Sequence, residues 1–244
     1  MKTTVALTAS LLFFQQATFA QEESAQRLFT ELTYRLTPVL EGRERPKISE
    51  KIPVTGTFWV TMDRDGKRIL VTAAHNLGLG PGQPAEINGK KIGGRLKLFS
   101  MSTIPLLGTL AYEISEVGFI GPTYDVAFLR PADTNVFQGS RVINLADVPS
   151  KLEDRVKIFG FPGTANPQPK ASTIVGFSSK QDYMVFGDPF EPGYSGGVVL
   201  NSDNKAVGLV IATEAKQASA VVLNAAVLAR IKWQRFSEVQ TRKF

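Results

Sequence analysis

The sequence contains no cysteine and a single histidine among its 244 residues. Without cysteine the chain has no disulfide scaffold, no thiolate zinc site, no cysteine-ligated iron–sulfur cluster and no cysteine nucleophile. With one histidine a multi-histidine metal site is impossible. No cofactor motif stands out, and neither a metal nor another cofactor is predicted. Any acid–base chemistry that uses an imidazole depends on His75.

Long runs of charge of one sign are also missing. Lys and Arg number 28 against 22 Asp and Glu, which gives a net charge of +6. The densest basic segments are the pairs Lys90-Lys91 and Arg242-Lys243. This pattern is typical of a mixed-charge surface and does not indicate a nucleic-acid partner. The 43% hydrophobic and 20% charged content is that of a globular protein.

Only the N-terminus has a longer apolar run, and it is too short to span a bilayer as an anchor. Lys2 precedes the mostly apolar stretch 5–14, and Thr18 and Ala20 are small residues before a cleavage site at Gln21. This order is typical of a signal peptide. We therefore predict a signal peptide over residues 1–20 and a secreted or periplasmic protein without stable membrane insertion after its removal.

The next segment, residues 21–51, combines helical periodicity with a charged stretch. Its apolar residues recur at helical spacing at Leu28, Phe29, Leu32, Leu36 and Val39. The spacing predicts one amphipathic helix, followed by a polar linker over 41–51. Two interpretations stay open: a pro-segment, or an N-terminal helix packed on the body of the protein.

From Pro53 onwards short β-rich runs alternate with turn signals. Asp65-Gly66 lies between two such runs and predicts a hairpin. About a dozen short strands fall in two groups, separated by the turn-rich stretch 131–150, which predicts an all-β protein of two small barrels or a pair of β-sandwiches.

The end of the chain returns to helical spacing. Val227, Leu228, Ile231 and Phe236 recur as on one face of a helix. They predict a C-terminal amphipathic helix over about 225–240.

Three motifs carry the chemistry: TAAH (72–75), DVAFL (125–129) and PGYSGG (192–197). The first ends a β run in the only histidine, and the second places an aspartate directly before an apolar strand. In the third, three glycines around Ser195 allow a sharp turn and bring N–H groups close to a ligand. A serine nucleophile needs this arrangement, with an exposed hydroxyl and backbone donors directed at the developing oxyanion.

Together these motifs resemble the signature segments of the trypsin-like (chymotrypsin-fold) serine proteases. The resemblance covers about residues 52–240. Because it has no disulfides, the chain looks most like the compact bacterial branch of the family, which is similar to glutamyl endopeptidases and HtrA-type protease domains. Since no PDZ-like segment follows in the sequence, a full HtrA protein is not expected. The resemblance implies two six-stranded antiparallel β-barrels, about 52–130 and 151–225, with the active site between them and a helix at each end.

The resemblance also implies a role for each motif residue. Ser195 would attack the scissile carbonyl, His75 would transfer the proton and Asp125 would orient the imidazole. The N–H groups of Gly193 and Ser195 would form the oxyanion hole.

One residue departs from the family pattern. Tyr194 stands where the digestive members have an aspartate that pairs with a newly cut N-terminus. Activation by that ion pair is therefore not expected, and the sequence leaves open whether the oxyanion loop is permanently formed.

Substrate binding is predicted at Pro189 and along Ile211, Ala212 and Thr213. The resemblance places Pro189 near the base of the specificity pocket, where it offers no charge, and places the strand beside the substrate backbone. Small or medium apolar side chains are the expected preference. Asp188 or Glu214 selecting a basic residue is the alternative.

The predicted function is an exported serine endopeptidase that acts on protein or peptide substrates through an acyl-enzyme intermediate. The alternative is a non-catalytic binding module on the same fold. The Gly-x-Ser-x-Gly pattern around Ser195 also occurs in α/β-hydrolases, but that fold needs alternating helices and the order Ser, Asp, His.

Overall fold

The computed structural model describes only part of the chain. The backbone is described for residues 26–36, 39–40, 43–44, 48–77, 86–87, 90–91, 97–103, 110–112, 114–135, 137–138, 141–162, 168–214 and 217–236. Side chains are described for residues 56–77, 114–135, 137–138, 141–162, 169–211 and 217–236. The predicted signal peptide, residues 1–20, lies outside the described residues.

The regular secondary structure of the described chain is almost entirely β. The strands in chain order are β1 Gln26–Leu36, β2 Val39–Leu40, β3 Arg43–Glu44, β4 Ile48–Met62, β5 Arg68–Thr72, β6 Glu86–Ile87, β7 Lys90–Lys91, β8 Lys97–Thr103, β9 Leu110–Tyr112, β10 Ile114–Phe119, β11 Ala127–Pro131, β12 Arg155–Gly160, β13 Gln168–Phe177, β14 Tyr183–Phe186, β15 Val198–Leu200, β16 Ala206–Glu214, β17 Gln217–Val222 and β18 Lys232–Arg235. Two short 3-10 helices cover Ala74–Leu77 and Ala225–Arg230. The predicted all-β class is confirmed.

These strands form two main bodies. The C-terminal body is a closed barrel with the strand order β12-β13-β14-β17-β16-β15, which confirms the predicted second barrel of six strands. The N-terminal body is a sheet that, within the described residues, has eight strands in the order β18-β10-β11-β5-β4-β1-β8-β9. The short strands β2 and β3 pair with each other, as do β6 and β7.

The predicted first six-stranded barrel is not confirmed, because the described residues of the N-terminal body form a sheet of eight strands. A strand has two hydrogen-bonding edges, and those of β4 are taken by β5 and by β1. The pairing with β1 runs from Gln26 opposite Phe58 to Leu36 opposite Ile48. Two strands from outside the predicted barrel region, β1 and β18, thus belong to the sheet and enlarge it.

The predicted N-terminal helix was wrong over residues 26–36, which form β1. The leucines at 28, 32 and 36 are four residues apart, a spacing that fits one face of a strand as well as a helix. Thr30, Thr33 and Tyr34 favour strands, and a long partner was available in β4. The predicted linker also contributes strand residues, in β3 and at the start of β4.

The predicted C-terminal amphipathic helix is not confirmed, because residues 232–235 form a strand. Only a short 3-10 helix forms, and its start is capped by Asn224, whose Oδ1 accepts from Ala226 N at 3.0 Å. The chain then pairs as β18 with β10, and the Arg130 guanidinium lies 3.9 Å from the centre of the Trp233 ring. A Cβ on Gly118 would meet Ile231 at 2.4 Å, so this close approach requires glycine. Residues 237–240 lie outside the described residues.

One hydrophobic cluster joins the two bodies. It contains fully buried side chains of the sheet, such as Trp59 and Phe128, together with barrel side chains such as Val198 and Leu209. A further cluster lies inside the barrel, and another packs under the sheet. The shared cluster fixes the two bodies against each other and so determines which loops meet at their junction.

Replacement of Phe128 by Ala is expected to destabilise both bodies together. Its side chain is fully buried in the shared cluster, and such a truncation costs about 3–5 kcal/mol. Urea unfolding followed by tryptophan fluorescence and circular dichroism would show coincident transitions at a lower midpoint. Val148→Ala, at a side chain 66% exposed, is the control and should stay within about 0.5 kcal/mol of wild type. Separate transitions for the two probes would contradict the shared core.

Candidate active site

His75 lies just beyond the end of a buried central strand. β5 runs inside the sheet, and after Ala73 the chain turns into the 3-10 helix Ala74–Leu77. Ala74 and Leu77 point inward and are fully buried, whereas the His75 side chain is 42% exposed. The small, buried alanines fix the turn, and the turn presents the imidazole at the surface.

Asp125 reaches His75 because of the strand register. β11 pairs antiparallel with β5, with Ala127 opposite Thr72. In this register the residues just before β11 lie beside those just after β5. Asp125 Oδ2 lies 2.5 Å from His75 Nδ1, and Asp125 Oδ1 accepts from the backbone N–H of His75 at 2.8 Å. These two contacts fix both the position and the rotation of the imidazole ring.

Ser195 lies in a loop of the barrel, residues 187–197, which we call the serine loop. Gly193 and Gly196 have φ of 107° and 85°, which L side chains rarely adopt. The carbonyl oxygen of Ser195 accepts from Thr57 N at 2.9 Å and from Asn76 Nδ2 at 3.1 Å. Because Asn76 directly follows His75, the structure brings the serine loop to the segment that carries the histidine.

The peptide groups around Ser195 have a fixed orientation. Gly197 N donates to Tyr194 O at 2.7 Å, and Gly196 N donates to Val210 O at 2.8 Å. In a trans peptide the C=O and N–H point in opposite directions. The bond to Tyr194 O therefore turns the N–H of Ser195 away from Gly197, to the other side of the loop.

Tyr194 anchors the serine loop inside the barrel. It is only 2% exposed, and its ring centroid lies 5.5 Å from that of Phe190, which in turn lies 5.3 Å from that of Phe186. A Cβ on Gly160 would meet the Tyr194 ring at 2.5 Å, so the ring packs directly on the barrel backbone. Burial, and then the nearby Glu191, raise the pKa of the Tyr194 hydroxyl. A neutral aromatic side chain thus stands where the digestive proteases use an ion pair.

Sequence reasoning missed two tyrosines that join Asp125's loop to the barrel. Tyr124 OH donates to Asp182 Oδ1 at 2.9 Å, and Tyr183 OH donates to Thr123 O at 2.6 Å. The two rings are stacked with centroids 6.4 Å apart. Burial, followed by the charges of Asp125 and Asp182, raises the pKa of Tyr183, so its hydroxyl keeps the proton it donates. The two tyrosines are far apart in the sequence, and no local signal pairs them.

The predicted substrate-binding residues are only partly described. Pro189 is exposed, and Ile211 is half-buried against the shared cluster. The backbones of Ala212 and Thr213 belong to β16, but their side chains lie outside the described residues. Where the structure is described, β17 pairs with this part of β16, and the pairing of β15 with β16 extends only to Leu209.

A lysine that the sequence analysis did not single out lies beside Pro189. Lys170 Nζ donates to Pro189 O at 2.7 Å and lies 5.0 Å from the centre of the Phe190 ring. Asp188, the predicted alternative charge, is exposed. The charge nearest the Pro189 carbonyl is therefore positive, although Pro189 itself carries none.

In the part of the chain that the structure describes, no three His, Cys, Asp or Glu side chains are grouped so that they could hold a metal. None of the described helices has the length and hydropathy to cross a membrane.

The chain belongs to the trypsin-like peptidase domain family, whose model matches residues 55–209. The matched region contains all three motifs and most of both bodies. Family membership makes the protein a serine-type peptidase, a hydrolase. No curated protein matches the sequence as a relative.

Solved structures of proteases share the fold at low identity. The active form of the Rv3671c protease from M. tuberculosis is 19% identical with a TM-score of 0.52, covering 87% of this chain and 80% of its own. The serine endoprotease from Yersinia pestis is 13% identical with a TM-score of 0.51, covering 83% and 62%. The HtrA-type protease AlgW with a tripeptide is 12% identical with a TM-score of 0.53, covering 82% and 56%. The chain thus matches less than two thirds of the last two proteins.

The contact between Asp125 and His75 predicts which imidazole nitrogen carries the proton. An ionised carboxylate only accepts, so neutral His75 should hold its proton on Nδ1. ¹⁵N NMR of the single histidine reports the tautomer without any assignment problem. Asp125→Asn should shift the population towards the Nε2–H form, because the asparagine amide is able to donate to Nδ1. Asp182→Asn, at a carboxylate bonded to Tyr124, is the control and should leave the tautomer unchanged; equal spectra for all three proteins would contradict the assignment.

Proposed function

We propose that this protein is an exported serine endopeptidase whose catalytic residues are His75, Asp125 and Ser195. The observation that carries the proposal is the two-point contact of Asp125 with His75, next to a serine loop bonded to the residue after His75. A structural role alone does not require a half-exposed imidazole held by a carboxylate at both its ring and its backbone.

The proposed chemistry follows from which of these side chains donate a proton and which accept one. With Nδ1–H donated to Asp125, the lone pair of His75 Nε2 accepts the Ser195 hydroxyl proton as Oγ attacks the scissile carbonyl. The proton then passes to the leaving amine, and the acyl group stays on Ser195 until water, activated by the same nitrogen, releases the acid. Asp125 stabilises the imidazolium that exists between these transfers.

The oxyanion of each tetrahedral intermediate is assigned to the N–H groups of Gly193 and Ser195. Fixed backbone donors stabilise developing charge without reorganising during the reaction. Support comes from the hydrogen bonds that hold the surrounding carbonyl groups and from the buried Tyr194, which keep the loop in one conformation.

Substrate binding is assigned to the edge of β16 and to the surface around Pro189. Beyond Leu209 an extended peptide would add to the edge of β16 at Ile211, Ala212 and Thr213 by backbone hydrogen bonds. We propose small or medium apolar side chains before the cleaved bond, since Pro189 itself carries no charge. Export through the signal peptide at residues 1–20 completes the proposal and places the enzyme in the periplasm or outside the cell.

Loss of the Ser195 hydroxyl is expected to abolish peptide hydrolysis. In a triad enzyme the loss of the nucleophile lowers kcat by on the order of 10⁶. Purified Ser195→Ala should show no cleavage of a peptide library that wild type cleaves, and no labelling by a fluorophosphonate. The library profile of wild type gives the side-chain preference in the same experiment.

Ser115→Ala is the matched control, since this exposed hydroxyl donates only to Arg130 O at 3.2 Å. It should keep both cleavage and labelling. A wild-type protein that neither cleaves nor labels would favour the binding module. Unchanged cleavage by Ser195→Ala would overturn the assignment of the nucleophile.

A further inference from the structure

A group of buried polar side chains lies between the sheet and the serine loop, and the catalytic steps above do not use it. Thr57, Thr72 and Asn76, which we call the polar cluster, are 0%, 0% and 2% exposed. Buried polar groups destabilise a protein unless they are hydrogen-bonded. Their partners therefore show what the cluster holds in place.

The cluster is bonded to the serine loop at two carbonyl groups. Thr57 Oγ1 donates to Gly193 O at 2.9 Å. Thr57 N and Asn76 Nδ2 both donate to Ser195 O, at 2.9 and 3.1 Å. The two residues assigned to the oxyanion hole are thus the two whose carbonyl oxygens the cluster holds.

Bonds within the cluster fix the donors themselves. Thr72 Oγ1 donates to Thr57 O at 2.8 Å and accepts from Asn76 Nδ2 at 3.2 Å. Thr57 Oγ1, besides donating to Gly193, accepts from Phe161 N at 3.2 Å. The hydroxyls of Thr57 and Thr72 each donate one hydrogen bond and accept another. The orientation of each O–H group is therefore fixed.

Two glycines show how closely the cluster is packed. A Cβ on Gly56 would meet Asn76 Nδ2 at 2.3 Å. A Cβ on Gly196 would meet Thr57 O at 2.0 Å and Thr72 Oγ1 at 2.7 Å. The serine loop rests directly on the cluster, and no other residue type fits at either contact without a shift.

We propose that Thr57 and Asn76 are positioning residues for the oxyanion hole. They hold the carbonyl oxygens of Gly193 and Ser195 on the inner side of the loop. Between these two carbonyls lies the peptide whose N–H belongs to Ser195, and the bond from Gly197 holds that peptide's own oxygen. With these carbonyls held, the N–H of Ser195 keeps facing the substrate carbonyl.

The inference rests on the proposed function, and it extends the site across the junction between the two bodies. Asn76 also follows His75 in the same short helix. One short helix next to the sheet thus carries the proposed base and also bonds to the loop that carries the proposed nucleophile. Their relative position does not depend on the shared hydrophobic cluster alone.

The test compares Thr57→Val with Thr57→Ser. Valine has the shape of threonine and keeps the backbone bond to Ser195, but it loses the bond to Gly193 O. We expect kcat to fall about 10- to 100-fold with KM nearly unchanged, less than the 10² to 10³ that loss of an oxyanion donor itself causes. Affinity for a peptide aldehyde, which forms an oxyanion on Ser195, should fall by the same factor. Thr57→Ser keeps the hydroxyl and should restore most of both.

Controls separate positioning from folding and from failure of the proposed function. Thr61→Val removes a buried hydroxyl from the same strand, β4, and should leave kcat unchanged. If Thr57→Val does not fold, Asn76→Ala removes one of the two bonds to Ser195 O and should give the same selective loss in kcat and aldehyde affinity.

Wild-type kcat and aldehyde affinity in folded Thr57→Val and Asn76→Ala, with Ser195→Ala inactive, would overturn this inference alone. A loss of equal size in Thr57→Ser, or a rise in KM with kcat unchanged, would also overturn it. Activity in Ser195→Ala would instead overturn the proposed function on which it rests.

Discussion

The antiparallel pairing of β11 with β5 is the constraint on which the site depends. With Ala127 opposite Thr72, the start of one strand and the end of the other lie at the same edge of the sheet. Asp125 and His75 are 50 residues apart in the chain, and this register brings the two segments that carry them together. A shift by one residue would turn the side chains of β11 to the opposite face of the sheet and move Asp125 away. The buried faces of both strands prevent such a shift.

The second half of the site depends on how the barrel meets the sheet. The shared hydrophobic cluster stabilises the contact between the two bodies but does not fix their orientation. The free energy of apolar burial depends on the buried area and not on the angle between the groups. Direction comes from polar contacts at the junction. The polar cluster holds the serine loop on one side, and Tyr124 with Tyr183 joins the loop of Asp125 to the barrel on the other. Hydrogen bonds at these two places turn a packed interface into a defined arrangement of groups.

The sequence predicted the motifs and the barrel better than the ends of the chain. TAAH, DVAFL and PGYSGG each combine strand and turn signals within a few residues, so local pattern was enough to locate them. The leucines of β1 were ambiguous because a spacing of four residues fits one face of a helix and one face of a strand. Only the pairing with β4 decided in favour of a strand. Lys170, Tyr183 and the polar cluster were not foreseen, since their roles arise from contacts between segments distant in sequence. No single-sequence pattern marks such contacts.

Tyr194 has a consequence for how the loop responds to its surroundings. An ion pair is screened by salt and is lost when either partner changes its charge. The contact of the Tyr194 ring with Phe190 and the backbone of Gly160 is subject to neither effect, and the raised pKa keeps the ring uncharged in mildly alkaline solution. Because the Tyr194 ring packs in the barrel core, a change in the packing of that core would reach the backbone next to Ser195 directly.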